Sequence, residues 1–279
     1  MGAKRPLKWL IGLNEEDPIG VQGKVSALLQ EGPAVLDEIV RHGTEGLALL
    51  LEKDAAEPVD KSVVTLGARL FHQARAVNLL LQNGYIGPSV LLVREMVHTL
   101  VLALFLRSYP ERADSWHRAD TKKERLEFSF GKIREHVEHG EAWKEVYDYY
   151  STMAHSNSEA KVTYAQSRQV FGYDLHLQGF YDPVPTTMLF AQTLRITLWF
   201  QRYFYDWYSQ ELSISVDFES NLDTLDAATK QFLKDLNDRA DREDTTEVHD
   251  DSLPIYEQVK AIALLHLMIE QKRRGSISL

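Results

Sequence analysis

The sequence predicts an all-α protein with a central antiparallel helical bundle and helical extensions on its N- and C-terminal sides. Three observations carry this prediction. Apolar residues recur at helical spacing in several long segments, Gly and Pro mark the ends of those segments, and a hydrophobic share of 44% in 279 residues supplies a sizeable core. We expect an N-terminal helical accessory segment at 1–59, the core helical bundle at 60–210, and an acidic C-terminal helical extension at 211–279.

Residues 1–59 contain short helical segments separated by Gly and Pro. The clearest segments lie at 33–41 and 44–53, and the pair Glu57-Pro58 ends them. We expect this region to form an accessory layer on the core. Its first apolar run, at 9–13, is too short for the core of a signal peptide and is followed by acidic residues, so secretion is not expected.

The core begins with two long apolar helices that are joined by a short turn. The first starts at a residue suited to cap a helix, Asp60 or Ser62, and ends at Asn83-Gly84, where glycine supplies the left-handed conformation. The second covers about 88–107. Because the turn is so short, the two helices should pack antiparallel.

Periodicity and capping residues predict five further helices along the chain. They cover 121–139, 141–153, 185–211, 221–244 and 254–274. The helix at 185–211 carries a ridge of aromatic residues, which is typical of a packing surface. One stretch differs: 171–180 alternates in side-chain class and predicts a short hairpin or an extended loop.

Composition narrows the environment in which the protein works. The chain has no Cys, which excludes disulfides, thiolate metal sites and cysteine-based catalysis, and is typical of the reducing cytoplasm. The longest apolar run, 90–106, is interrupted by Arg94, Glu95 and His98, so it predicts a buried core helix and no membrane span. Nothing in the sequence requires a cofactor for folding.

Acidic residues are concentrated towards the C-terminus. Between Glu211 and Glu257, fourteen Asp or Glu stand against four Lys or Arg, which equals the net charge of −10 of the whole chain. Such a segment can attract a basic partner. The remainder is neutral and carries no strongly basic stripe, so charge neither predicts nor excludes an RNA-binding face.

Three polar residues, Arg94, Glu95 and His98, stand inside the second core helix. A buried charge costs several kcal/mol unless it is paired, so these side chains must be compensated, and we expect Arg94 and Glu95 to form a buried, hydrogen-bonded charge centre. One interpretation is structural: a salt-bridge network with basic residues of the preceding helix, namely Arg69, His72 or Arg75. The other interpretation is a functional site.

Glu95-x-x-His98 also matches half of the carboxylate–histidine pattern with which ferritin-like bundles bind two metal ions. The sequence has no second Glu-x-x-His, and the nearest analogue is Asp114-x-x-His117 in a short charged segment. We therefore expect no metal site.

The segment YDYYSTMAHSNS at 147–158 places aromatic hydroxyls, a histidine and small polar residues at one helix end. A histidine that titrates near neutral pH is suited to general acid–base catalysis, and a neighbouring Tyr or Arg can stabilise developing charge. The candidate catalytic residues are therefore His155, Arg94, Glu95, His98 and Tyr150. The alternative is that His155 and Ser156 only end one helix and cap the next.

Three short motifs between about 69 and 160 resemble a family of bacterial helical proteins that is defined by a domain of unknown function. They are the Arg-Glu pair within 93–95, the Tyr109-Pro-Glu break, and 150–156, Tyr-Ser-Thr-Met-Ala-His-Ser. More distantly, the predicted bundle is similar to HEPN proteins, many of which are metal-independent ribonucleases of toxin and phage-defence systems. The resemblance implies binding or cleavage of RNA or nucleotides, with His155 as acid or base and Arg94 stabilising phosphate charge.

HEPN nucleases mark their site by an Arg that is followed after four to six residues by His. Tyrosines and small residues occupy the expected Arg position before His155, while two other pairs match the spacing, Arg112 to His117 and Arg134 to His139. A different class of function remains open: a non-catalytic interaction module in which the C-terminal helices bind a protein partner or a second copy of the chain.

Overall fold

The computed structural model describes residues 18–52, 57–154, 165–166, 174–175, 181–212 and 216–244. The helices are α1 Pro18–Leu29, α2 Gly32–Leu51, α3 Pro58–Gln82, α4 Ile86–Ser108, α5 Ala113–His117, α6 Lys122–Leu126, α7 Phe130–Ile133, α8 Gly140–Ala154, α9 Pro183–Tyr208 and α10 Val216–Asp244. They pack around one hydrophobic core. The prediction of an all-α bundle is confirmed.

The centre of the bundle is the antiparallel pair α3 and α4. The chain reverses between them at Asn83 and Gly84, and Gly84 has a φ of 73°, which glycine adopts without a Cβ clash. The predicted end of the first core helix is therefore confirmed. By length and composition α4 could cross a membrane, but 67% of its most apolar stretch is buried among the other helices.

Helix α2 is continuous, although the sequence predicted two segments separated at 42–43. Gly43 lies inside the helix and faces α3, where a Cβ would come within 2.2 Å of the Phe71 ring. The glycine is a contact point between two helices and not a helix end. The buried face of α2 belongs to the same core as α3 and α9.

Helices α9 and α10 complete the core. The aromatic ridge of α9 is a packing surface, as predicted, because Phe200, Phe204 and Tyr208 are buried. The Tyr208 hydroxyl donates a hydrogen bond to Asp60 at 2.9 Å and so ties the end of α9 to the beginning of α3. The apolar stripe of α10 is also buried, against α2 and α9; its members are Leu222, Leu225, Phe232, Leu233 and Leu236.

The segment between α4 and α8 is broken into short helical turns, where the sequence predicted one helix at 121–139. Its predicted start is confirmed: the Glu124 N–H donates to Thr121 Oγ1 at 3.2 Å, and the Thr121 N–H donates back to Glu124 at 2.9 Å. The helix then ends at Leu126, because the chain turns inward to bury Phe128 and Phe130.

Two residue pairs form a short antiparallel ladder of β1, Ala165–Gln166, and β2, Asp174–Leu175, in which Ala165 lies opposite Leu175. Part of the predicted hairpin at 171–180 thus pairs with an earlier segment. The predicted helix at 254–274 lies outside the described residues.

Candidate functional site

The polar residues of α4 lie in a group of five side chains between α3, α4 and α8, which we call the arginine cluster: Arg69, Arg94, Glu95, His98 and Tyr147. The Glu95 carboxylate is shared by two arginines. One oxygen lies 3.2 Å from an Arg69 nitrogen across the helix pair, and the other lies 3.3 Å from Arg94. The structural interpretation correctly named Arg69, whereas Arg75 pairs with Asp37 of α2 at 3.7 Å.

The arginine cluster is half-exposed, and the expectation of a buried charge centre was wrong. The side chains of Arg69, Arg94 and Glu95 are 48%, 21% and 33% exposed. Water therefore screens these ion pairs, and each contributes about 1 kcal/mol or less to stability. With two guanidinium groups on one carboxylate and a neutral His98, the cluster carries one positive charge that is not balanced inside it.

An aromatic stack supports the Arg94 guanidinium. The guanidinium lies 5.3 Å from the centre of the Tyr147 ring, which stacks on Phe130 at 3.8 Å with only 10° between the ring planes. His98 contacts Phe130, the second ring of this stack. The two rings are perpendicular, and their centres are 6.2 Å apart. The Arg94 Nε is buried and has no hydrogen-bond partner among the described residues. Arg94 is thus oriented by packing more than by hydrogen bonds.

His98 is a structural histidine in this arrangement. Its Nε2 lies 3.0 Å from the Phe128 carbonyl oxygen, which requires the Nε2–H tautomer to donate. Burial lowers the pKa of His98, and the Phe128 hydrogen bond and the Glu95 charge oppose this shift only in part. His98 is therefore neutral at pH 7, and its one N–H already holds the Phe128 segment against α4.

Tyr150 does not join the arginine cluster. It is fully buried, its ring lies against Tyr149 at 5.2 Å, and its hydroxyl has no hydrogen-bond partner among the described residues. Burial raises the pKa of Tyr150 well above its usual value. The tyrosine of α8 that contacts Arg94 is Tyr147, which we did not predict as a site residue. Tyr147 and Tyr150 are three residues apart and so lie next to each other on one side of α8, and only the packing of α8 on α4 reveals which of them meets Arg94.

His155 lies outside the described residues. Of the candidate residues, the structure brings together Arg94, Glu95 and His98 and adds Arg69 and Tyr147 to them.

The two matches to the Arg–His spacing do not form sites in the described part of the chain. His117 contacts Ser62, with 3.0 Å between Nε2 and Oγ, while Arg112 lies over the Phe128 ring at 5.6 Å. The residues of the second match also have other partners: Arg134 pairs with Glu141 at 2.6 Å, and His139 lies 3.3 Å from Glu138.

Carboxylates and histidines do not gather into a possible metal site within the described ranges. The two residues of the half-motif have other partners: Glu95 binds arginines and His98 binds a backbone carbonyl. No protein-family model, curated protein or solved structure matches this chain.

Proposed function

We propose that this chain is a HEPN-like helical protein that binds RNA or nucleotides in a bacterial toxin, stress or phage-defence system, and that Arg69 and Arg94 contact phosphate. The observation that carries the proposal is the pair of guanidinium groups on one partly exposed carboxylate, with one unbalanced positive charge. A guanidinium has five N–H donors, and Glu95 uses only a few of those that the two arginines offer.

The packing of the cluster favours an anionic ligand. Arg94 is held by Tyr147 and Glu95, so little side-chain entropy remains to be lost when a phosphate binds. The planar guanidinium can bind two phosphate oxygens at once, which makes arginine the common choice for this ligand. Tyr147 lies beneath the Arg94 guanidinium, and this cation–π contact fixes the plane of the guanidinium before a phosphate binds.

RNA binding is tested with a fluorescently labelled single-stranded RNA and fluorescence anisotropy. We expect Arg69→Ala and Arg94→Ala each to weaken binding about tenfold, because each removes one charged contact to phosphate. Arg41→Ala is the control: Arg41 is an exposed arginine on α2 that is likewise ion-paired, but its charge is balanced by two carboxylates, Glu38 and Glu45. An equal effect of all three substitutions would show only the influence of overall charge and would contradict a site at the cluster.

Catalysis is a second, separable part of the proposal. In a metal-independent ribonuclease, His155 would act as general acid or base, and Arg94 would stabilise the charge that develops on the phosphate. The test is to incubate the pure protein with total RNA in EDTA. We expect the unmodified chain to cleave RNA. The His155→Ala substitution should abolish cleavage and leave the melting temperature of the protein unchanged. If the protein binds RNA but leaves it intact in this assay, the catalytic part of the proposal is wrong and the function is limited to binding.

The alternative is an interaction module that binds a protein partner or a second copy through its C-terminal helices. The apolar faces available for this purpose in α9 and α10 are covered within the chain. The exposed described side chains of α10 are polar or charged apart from two alanines, and the acidic excess between Glu211 and Glu257 favours a basic partner for this alternative. Light scattering after size exclusion tests the homo-oligomer, which would appear as a mass above that of one chain.

A further inference from the structure

An open cleft of about 470 Å³ lies at the C-terminal end of α4, beside the turn at Pro110–Arg112. Its size is that of sites for small organic ligands. It is separate from the arginine cluster but shares a neighbour with it. His98 binds the Phe128 backbone, whereas Arg112, which lines the cleft, lies over the Phe128 ring.

One side of the cleft is aromatic. Phe105 and Tyr109 lie 5.1 Å apart, and His136 contacts both rings at 6.1 and 5.9 Å. Phe105 is buried and supports the other two, while Tyr109 and His136 are exposed. A planar ligand in the cleft can therefore contact two exposed aromatic rings, Tyr109 and His136. Both rings rest against the buried Phe105 ring.

The cationic group that is available in the cleft is Arg112. Its Nε is buried without a hydrogen-bond partner among the described residues. Lys132 also lines the cleft, but it binds Glu127 at 2.7 Å, and this contact holds the pKa of Glu127 below its usual value. Glu127 thus largely neutralises the charge of Lys132, whereas Arg112 acts on Glu127 only through space and forms no ion pair with a described residue, so its guanidinium can bind an anion.

Two exposed carboxylates, Glu111 and Glu135, complete the lining. They accept hydrogen bonds and repel a second anionic group, so the cleft fits a ligand with a single anionic end and hydroxyl or amino groups elsewhere. A simple anion such as phosphate would use Arg112 alone. A ligand that combines a planar ring, one phosphate and hydroxyl donors would use all three kinds of side chain.

We propose that this cleft binds one nucleoside monophosphate, either free or as a terminal unit of RNA. Arg112 binds the phosphate, and the base stacks on the Tyr109 ring with its edge against His136, whose ring is nearly perpendicular to that of Tyr109. The carboxylates accept hydrogen bonds from ribose hydroxyls or base amino groups. This assignment rests on the proposed function and names the unit of nucleic acid that this second location recognises.

Two glycines provide a matched pair of variants. A Cβ added to Gly131, which lines the cleft, meets no atom within 4 Å, so Gly131→Phe should fill the cleft without disturbing the core. The same holds for Gly23, an exposed position on α1 that does not line the cleft. Gly23→Phe therefore controls for the effects of a new exposed aromatic ring.

The experiment is isothermal titration of the full chain with each of the four nucleoside 5′-monophosphates, with the matching nucleosides and with inorganic phosphate. We expect at least one monophosphate to bind, with its nucleoside and phosphate each about tenfold weaker or more. Arg112→Gln should weaken the monophosphate about tenfold or more, Gly131→Phe should abolish its binding, and Gly23→Phe should leave it unchanged.

The proposal is overturned if none of the four monophosphates binds, or if Gly131→Phe and Arg112→Gln both bind them as tightly as the unmodified chain. RNA binding that depends on Arg94, without monophosphate binding, would refute the cleft and leave the proposed function intact. Monophosphate binding that is lost in Gly131→Phe, without any RNA binding, would support the cleft for free nucleotides and refute the RNA-binding function.

Discussion

At the level of single residues, the arginine cluster contains two positively charged guanidinium groups and only one carboxylate. One positive charge is therefore not balanced within the cluster. Glu95 holds Arg69 and Arg94 in place, and Tyr147 fixes the plane of the second guanidinium. His98 contributes by anchoring the Phe128 segment and not by titrating at neutral pH. These roles predict different responses to substitution and to pH.

His98 should make the fold sensitive to mild acid. Its pKa is lowered in the folded state, while in the unfolded chain it titrates near the usual value of about 6.5. Below that value the unfolded state takes up a proton that the folded state does not, so stability is present above the unfolded pKa and falls as pH drops through this window.

The measurement is the melting temperature at neutral and mildly acidic pH for the unmodified chain and for His98→Gln. Glutamine can still donate to the Phe128 carbonyl but does not titrate, so we expect the variant to lose less stability on acidification. An identical pH dependence of the two proteins would contradict the assignment.

Arg94 should matter little for stability. Because its side chain and that of Glu95 are partly exposed, and because Arg69 still pairs with Glu95, Arg94→Ala should lower the free energy of unfolding by about 1 kcal/mol. Urea denaturation measures this value. A loss of about 3 to 5 kcal/mol, as for a broken buried pair, would mean that the cluster is closed to water.

At the level of helices, contacts between segments that are distant in the sequence explain which helix boundaries were predicted correctly and which were not. Gly84 was predicted to end α3 because glycine supplies the left-handed conformation of a helix C-terminus, and its φ is 73°. Gly43 looked similar in sequence, yet it continues α2 because Phe71 occupies the space of a side chain. The helix predicted at 121–139 failed for a related reason: burial of Phe128 and Phe130 outweighs the local helical pattern. Contacts between distant segments determine whether a helix continues at such a position, and these contacts cannot be read from a single sequence.

Gly43→Ala should therefore destabilise the protein, by about 1 to 3 kcal/mol, because the added methyl group forces Phe71 away from α2. Gly23→Ala, in an exposed part of α1 with open space around it, should instead be neutral or stabilising by up to about 1 kcal/mol. Thermal unfolding of both variants gives the comparison. Similar effects of the two substitutions would argue against the close approach of α2 and α3.

The link between α3 and α9 gives a second comparison, between two buried tyrosines. Tyr208→Phe removes a hydrogen bond to buried Asp60 and should cost about 1 to 3 kcal/mol. Tyr150→Phe removes a buried hydroxyl that has no partner among the described residues, so it should leave stability unchanged or raise it. Denaturation curves test both, and a large loss in Tyr150→Phe would reveal a contact of its hydroxyl.

At the level of the whole molecule, charge is distributed unevenly. The acidic excess lies between Glu211 and Glu257, whereas the arginine cluster carries an unbalanced positive charge within the neutral remainder. The sequence predicted the fold class, three residues of the cluster and, among three possible partners, Arg69, because an Arg-Glu pair and a His inside an apolar helix demand partners. It could not identify Tyr147 or the cleft beside Arg112, since both depend on how α8 and the 110–139 segment pack on α4.

The most direct test of phosphate contact at the arginine cluster is the salt dependence of RNA affinity. Each lost phosphate contact lowers the slope of log affinity against log salt concentration by about 0.7 for single strands. We expect Arg94→Ala and Arg69→Ala each to reduce the slope by about this amount, and Arg41→Ala to leave it unchanged. Equal slopes for the unmodified chain and both cluster variants would contradict the proposal that these two arginines bind phosphate.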